Sequence, residues 1–173
     1  SVRVSDALDT SAPEPSQVFE VDNAPSATIA PVRPASGGRF LREVELDLTL
    51  SDPNGGSDGD RVSLSLEYAL NCTTAATPTW LPAQLGAGGS GLIDLLAEPS
   101  GTQHTLVWDA LTDATAGPPL AVAEVAGASG PESVVAPIED VCVRITPTDS
   151  AGLSGPSAVS APFALGNEPP TAE

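Results

Sequence analysis

Asp52, Asn54, Asp58 and Asp60 fall within nine residues, interspersed with Gly55, Gly56 and Gly59. Oxygen-bearing side chains at that density on a glycine-rich turn suit calcium, which takes six to eight oxygens from carboxylates, carboxamides and bare carbonyls. The loop is not an EF-hand, because the twelfth residue from Asp52 is Ser63 rather than glutamate. Asp149, in an Asp-Ser-Ala-Gly turn, completes the shell if it lies at the same end of the fold; Asp109 and Asp113 are lesser candidates. The competing reading is an acidic turn that does no more than hold water.

Other chemistry is thin. His104 is the only histidine, and no Gly-x-Ser-x-Gly elbow, His/Cys metal spacing or Walker loop is present. Carboxylate pairs such as Asp58 and Asp60 do acid and base work only in a cleft that raises one pKa, which a glycine-rich turn does not offer. The expectation is therefore a protein that is not an enzyme. Asn71-Cys72-Thr73 is an N-glycosylation sequon, and Thr73, Thr74, Thr77 and Thr79 around Pro78 suit O-linked sugar by composition. Trp80 and Trp108 read as core residues rather than a carbohydrate platform.

The elements that must position these residues are short strands. Val44, Leu46, Leu48 and Leu50 alternate with Glu43, Glu45, Asp47 and Thr49; Val62, Leu64, Leu66, Tyr68 and Leu70 repeat the pattern from Arg61. Strict alternation marks a strand with one face in a core and one in water. With the 51–60 loop between them, the two read as an antiparallel pair. Further strands are expected over 28–32, 79–84, 104–109, 120–125, 140–146 and 157–165, a helical turn over 91–96, and loops over 86–91, 114–119 and 127–131. Seven or eight short strands between Gly/Pro/Ser turns are the profile of an all-β, two-sheet antiparallel sandwich.

Cys72 and Cys142 are the only cysteines. Strand parity sets Cys142 with the polar Asp140 and Arg144, and Cys72 with the apolar Leu66, Tyr68 and Leu70, which argues against a bond. The secreted character of the composition argues for one, and a Cys72–Cys142 disulfide is the expectation.

Residues 1–24 stand apart. Val2-Arg3-Val4 and Asp6, then Phe19-Glu20-Val21-Asp22-Asn23-Ala24-Pro25, return near the other end as Val143-Arg144-Ile145 and Asp149, then Phe163-Ala164-Leu165-Gly166-Asn167-Glu168-Pro169. The period is about 140 residues, one domain's length. Pro25 and Pro169 take equivalent places, each stiffening a junction. Val2, Val4, Phe19 and Val21 carry the apolar face of the first copy, which needs a core to enter. The division expected is an N-terminal arm over 1–24, a sandwich over 25–168 and a linker or tail over 169–173.

The run Leu50-Ser51-Asp52-Pro53-Asn54-Gly55-Gly56-Ser57-Asp58-Gly59-Asp60 into Val62 to Tyr68, then Trp80-Leu81-Pro82-Ala83, Ser100-Gly101-Thr102, His104 to Asp109, and Val143 to Asp149, resembles the immunoglobulin-like or fibronectin type III-like repeats of large secreted bacterial surface and adhesin-type proteins. It departs from them in Asn71-Cys72-Thr73, where such domains turn through glycines, and in an insertion over about 114–137. The resemblance implies an immunoglobulin-like sandwich acting as a structural subunit or module of an extracellular fibre or surface array. Its partners would be copies of itself or adjacent repeats, joined head to tail, with the arm packing on or completing a neighbour by strand addition. The alternative it implies is an adhesin-type domain that recognises a glycan or protein through loops at one end, the insertion among them.

Composition narrows the partners. The net charge is −17, from 23 acidic residues against 6 basic ones, all arginine. That field repels nucleic acid and anionic membrane surfaces and favours cations. No apolar run is long enough to span a bilayer. The N-terminus lacks a basic region followed by an apolar one, so any secretion signal is expected to have been removed.

Overall fold

The structure is a computed structural model and describes residues 22–32, 43–54, 60–116 and 138–166. Nine strands and one short helix follow in the order β1 Ser26–Ile29, β2 Glu43–Ser51, β3 Asp60–Leu70, β4 Leu81–Pro82, β5 Leu95–Ala97, β6 Thr102–Asp109, α1 Ala110–Ala116, β7 Ile138–Asp149, β8 Ala158–Val159 and β9 Phe163–Leu165. One sheet has the order β1-β2-β6 and the other β4-β3-β7-β8, with β5 also on β3 and β9 also on β7. Every pairing is antiparallel. The chain crosses between sheets from β2 to β3, from β5 to β6 and from β6 to β7, which gives the all-β, two-sheet antiparallel sandwich the strand count predicts.

The alternation in β2 and β3 is realised residue by residue. Val44, Leu46, Leu48 and Leu50 face Val62, Leu64, Leu66 and Tyr68 across the core, joined by Leu106, Trp108, Val143 and Ile145. The expected β2–β3 pairing is nevertheless wrong. β2 pairs with β1 and β6, whereas β3 pairs with β4, β5 and β7, so residues 52–59 link two sheets instead of turning a hairpin. Both arrangements present the same apolar faces to the same core, so alternation does not separate them.

Two smaller expectations also change. Residues 91–96 form no helical turn; they bend and enter β5, and Leu92 offers its carbonyl to the Leu64 amide. The helix is α1, and Asp109 caps it, its carboxylate accepting from the Thr112 amide (3.1 Å) and hydroxyl (2.7 Å). The start of the expected 114–119 loop is thus helical. The strand expected at 120–125 and the loop at 127–131 lie outside the described residues. No helix among the described residues is long and apolar enough to cross a membrane.

β3 and β7 form the spine, in register from Val62 opposite Asp149 to Leu70 opposite Val141. Their 11- and 12-residue lengths define two ends. The chain enters at the end holding Ser26, Ser51, Val62 and Asp149, since Ser26 pairs with Ser51. It leaves at the opposite end, where Leu165 pairs with Ile138. The outlying strands of the larger sheet are short, β4, β8 and β9 having two, two and three residues, whereas β6, at one edge of the smaller sheet, has eight.

Candidate functional site

The entry end gathers the candidates for metal binding. β2 points Val44, Leu46, Leu48 and Leu50 inward, and Asp52 continues that parity, fully buried. Its Oδ1 accepts from the Asn54 amide at 2.9 Å. β7 likewise points Val143, Ile145 and Pro147 inward, and Asp149 continues the row at 7% exposure. Asp149 Oδ1 accepts from the Leu153 amide (2.8 Å), and its backbone carbonyl accepts from Gly152, which closes the turn. The buried Asp149 Oδ2 has no hydrogen-bond partner among the described residues. The expectation that Asp149 shares an end with the 51–60 loop holds, because it pairs with Val62 just beyond that loop.

Asn54 faces elsewhere. Its Oδ1 accepts from both the backbone amide (2.8 Å) and the side-chain amide (2.9 Å) of Asn23, pinning the segment that leads into β1. Pro25 is fully buried behind it, and the backbone of Gly155 runs so close that a Cβ there would lie 1.7 Å from the Pro25 carbonyl oxygen. Only glycine fits. Asp58 and the side chain of Asp60 lie outside the described residues, as do Val2, Val4, Phe19 and Val21.

At the exit end, Asp109 and Asp113 serve the fold. Asp109 is the helix cap. Asp113 is buried, and its Oδ2 accepts from the Trp108 indole N–H (2.6 Å) and the Gln84 amide (2.8 Å), while Tyr68 donates to its backbone carbonyl at 3.2 Å. Burial, and then the Asp113 carboxylate, push the Tyr68 phenol above its ordinary pKa. Trp108 stacks on Tyr68 at 5.2 Å and meets Phe163 edge-on at 6.3 Å. Trp108 is the expected core residue. Trp80 is not, because it is half-buried under the Arg144 guanidinium (4.4 Å), which also pairs with Glu67 at 2.7 Å.

Cys72 and Cys142 are bonded, with Cα atoms 5.9 Å apart. Parity misleads because the chain turns at Asn71 (φ 57°), which rotates Cys72 out of the β3 alternation, while a bulge at Asp140 (φ 61°) shifts β7. Beside the bridge, Asp140 accepts from the amides and hydroxyls of both Thr73 and Thr74 at 2.7–3.1 Å. The Thr73 hydroxyl foremost, with the Thr74 hydroxyl and the two amides, holds the Asp140 carboxyl below its ordinary pKa against the opposing effect of burial. Of the four threonines expected to suit sugar, Thr73 and Thr74 thus have their hydroxyls engaged, whereas Asn71 is exposed. Cys72, Asp140 and Cys142 lie close enough to suggest a metal group, but the sulfurs are spent on each other.

His104, on the inward parity of β6, directs Nε2 at the Leu96 carbonyl (2.8 Å), tying β6 to β5 of the opposite sheet. On the outer face of β2 and β6, a groove of about 490 Å³ is lined by Asp47, Thr49, Ser90, Gln103 and Thr105, with the Thr105 hydroxyl donating to Asp47 at 2.7 Å. Sequence reasoning missed this groove; the alternation of polar residues in β2 and β6 was its only signal.

Fold and site thus define an all-β, two-sheet sandwich with a disulfide at one end and buried carboxylates at the other. No protein-family model matches the chain, no curated protein matches it, and no solved structure matches its fold significantly.

Proposed function

We propose that this chain is a structural module of an extracellular bacterial fibre or surface array, joined head to tail to copies of itself or to adjacent repeats. The observation that supports this most is the opposite placement of entry and exit, separated by the length of β7, roughly 36 Å at strand rise. Modules connected through such ends extend in a line. The entry segment is also fixed in direction by Asn23–Asn54 and by Pro25 against Gly155, as a rigid junction requires. The disulfide fits an oxidising compartment.

The closed core bears on how neighbours meet. β3 and β7 each have strands along their outer sides, the edge strands β1 and β4 are short with Pro25 and Pro82 beside or within them, and the eight-residue edge strand β6 is covered by residues 84–90, whose Gly86 and Ser90 amides donate to the Val107 and Thr105 carbonyls. Packing of the 1–24 arm against a neighbour's end therefore suits this sandwich better than completion by strand addition. Small-angle scattering of a two-module concatemer tests the reading. A maximum dimension close to twice that of one module supports it, and a compact side-by-side pair overturns it.

The polar groove on β2 and β6 supports a second reading, a binding domain for a hydroxyl-rich ligand such as a glycan. Its site would lie on a sheet face, not on end loops. Saturable glycan binding by the single module, abolished in Gln103→Ala, would favour it.

A further inference from the structure

We infer that the entry end holds a divalent cation, calcium by its ligand chemistry, between the inward carboxylates of Asp52 and Asp149. Each strand row that ends in these residues is otherwise apolar, and the two rows belong to opposite sheets facing one core. The last layer of that core therefore holds a carboxylate from each sheet where parity calls for aliphatic side chains.

An ionised carboxylate taken from water costs several kcal/mol unless something offsets it. Asp52 Oδ1 accepts from the Asn54 amide and Asp149 Oδ1 from the Leu153 amide. Asp149 Oδ2 is buried with no hydrogen-bond partner among the described residues. It calls for a positive charge. The chain has no lysine, and the two arginines among the described residues are engaged with Asp94 and Glu67. A dication supplies the charge compactly, and donors that are all oxygen select hard ions such as calcium over thiophilic ones. Calcium tolerates the irregular ligand set of two carboxylates, backbone carbonyls and waters better than magnesium, which demands an octahedron.

The ion would join the two sheets where the chain enters. Its effect would reach the junction through Asp52 to the Asn54 amide and from the Asn54 side chain to Asn23. The site belongs to a single module and does not depend on assembly, so its test is separate from that of the connector reading.

The test is thermal unfolding of the full chain at neutral pH and physiological ionic strength, after chelation and then with calcium added, alongside equilibrium dialysis with labelled calcium. At calcium about a hundredfold above its dissociation constant, the wild-type midpoint should rise by roughly 5–10 °C. Asp149→Asn should melt no lower than wild type in chelator, having lost a buried charge, and should not respond to calcium. Glu45→Gln, an exposed acid on the outer face of β2, should keep the full response. Wild type that takes up no calcium in dialysis overturns the inference, whether or not the variant folds. So does Asp149→Asn that keeps the shift, or magnesium that reproduces it in full, which would mark screening of the net negative charge.

Discussion

At the exit end, Tyr68, Trp108 and Phe163 pack together, Asp140 has both carboxylate oxygens engaged by donors and Asp113 its Oδ2, and a disulfide ties β7 to the turn after β3. At the entry end there are no rings or bridges among the described residues; two prolines, a glycine without room for a side chain and two buried carboxylates close the same core. The first end is closed by a covalent bridge, ring packing and hydrogen-bonded carboxylates. The second keeps a buried Asp149 oxygen with no hydrogen-bond partner among the described residues and an unusually close backbone contact, both beside the incoming segment. The contrast teaches that one end secures the sandwich while the other is built around the segment that enters it.

The largest way to test that contrast is to cut the bridge. Cys72→Ala with Cys142→Ala removes a cross-link over 70 positions and should cost about 4 kcal/mol on the chain-entropy model, read by denaturant unfolding. A loss near zero would mean that the exit end does not depend on its bridge. Next comes Gly155→Ala. Overpacking against Pro25 should cost roughly 3 kcal/mol and free the amides near Asn23 to hydrogen exchange. Unchanged protection there would show that the entry segment is not clamped.

The smallest effect concerns Asp140. Its folded pKa is depressed, so the stability it contributes is present above the usual carboxyl value of 3.8 and is lost as the pH falls through the lower folded value. Asp140→Asn should flatten the acid limb of a stability-against-pH curve and leave the neutral region's slope unchanged. An acid limb identical to wild type would assign the acid sensitivity to other carboxylates.

The sandwich was legible because alternation is local: Val44 to Leu50 and Val62 to Leu70 declare their faces without reference to a partner. Sheet membership was not, because a hairpin and a crossover between sheets bury the same residues, and the 51–60 loop permits either. The cysteines misled for a different reason. Parity carries along a strand only while the backbone stays extended, and Asn71 and Asp140 both leave that region. For α1 a signal was present, Asp109 three residues before Thr112 in the manner of an N-cap. The acidic residues at the entry end were visible in sequence, but their burial was not: nothing local tells that Asp52 and Asp149 extend the inward rows of β2 and β7.

The opposite placement of the module's ends sets its response to tension. A pull between them loads β1 against β2 and β9 against β7 along the strand direction, so those hydrogen bonds are sheared together instead of unzipped one by one. The Cys72–Cys142 bridge also carries load past the 70 positions it encloses, keeping roughly 240 Å of chain out of any extension. A string of such modules would yield in short steps and retain a folded remnant in each.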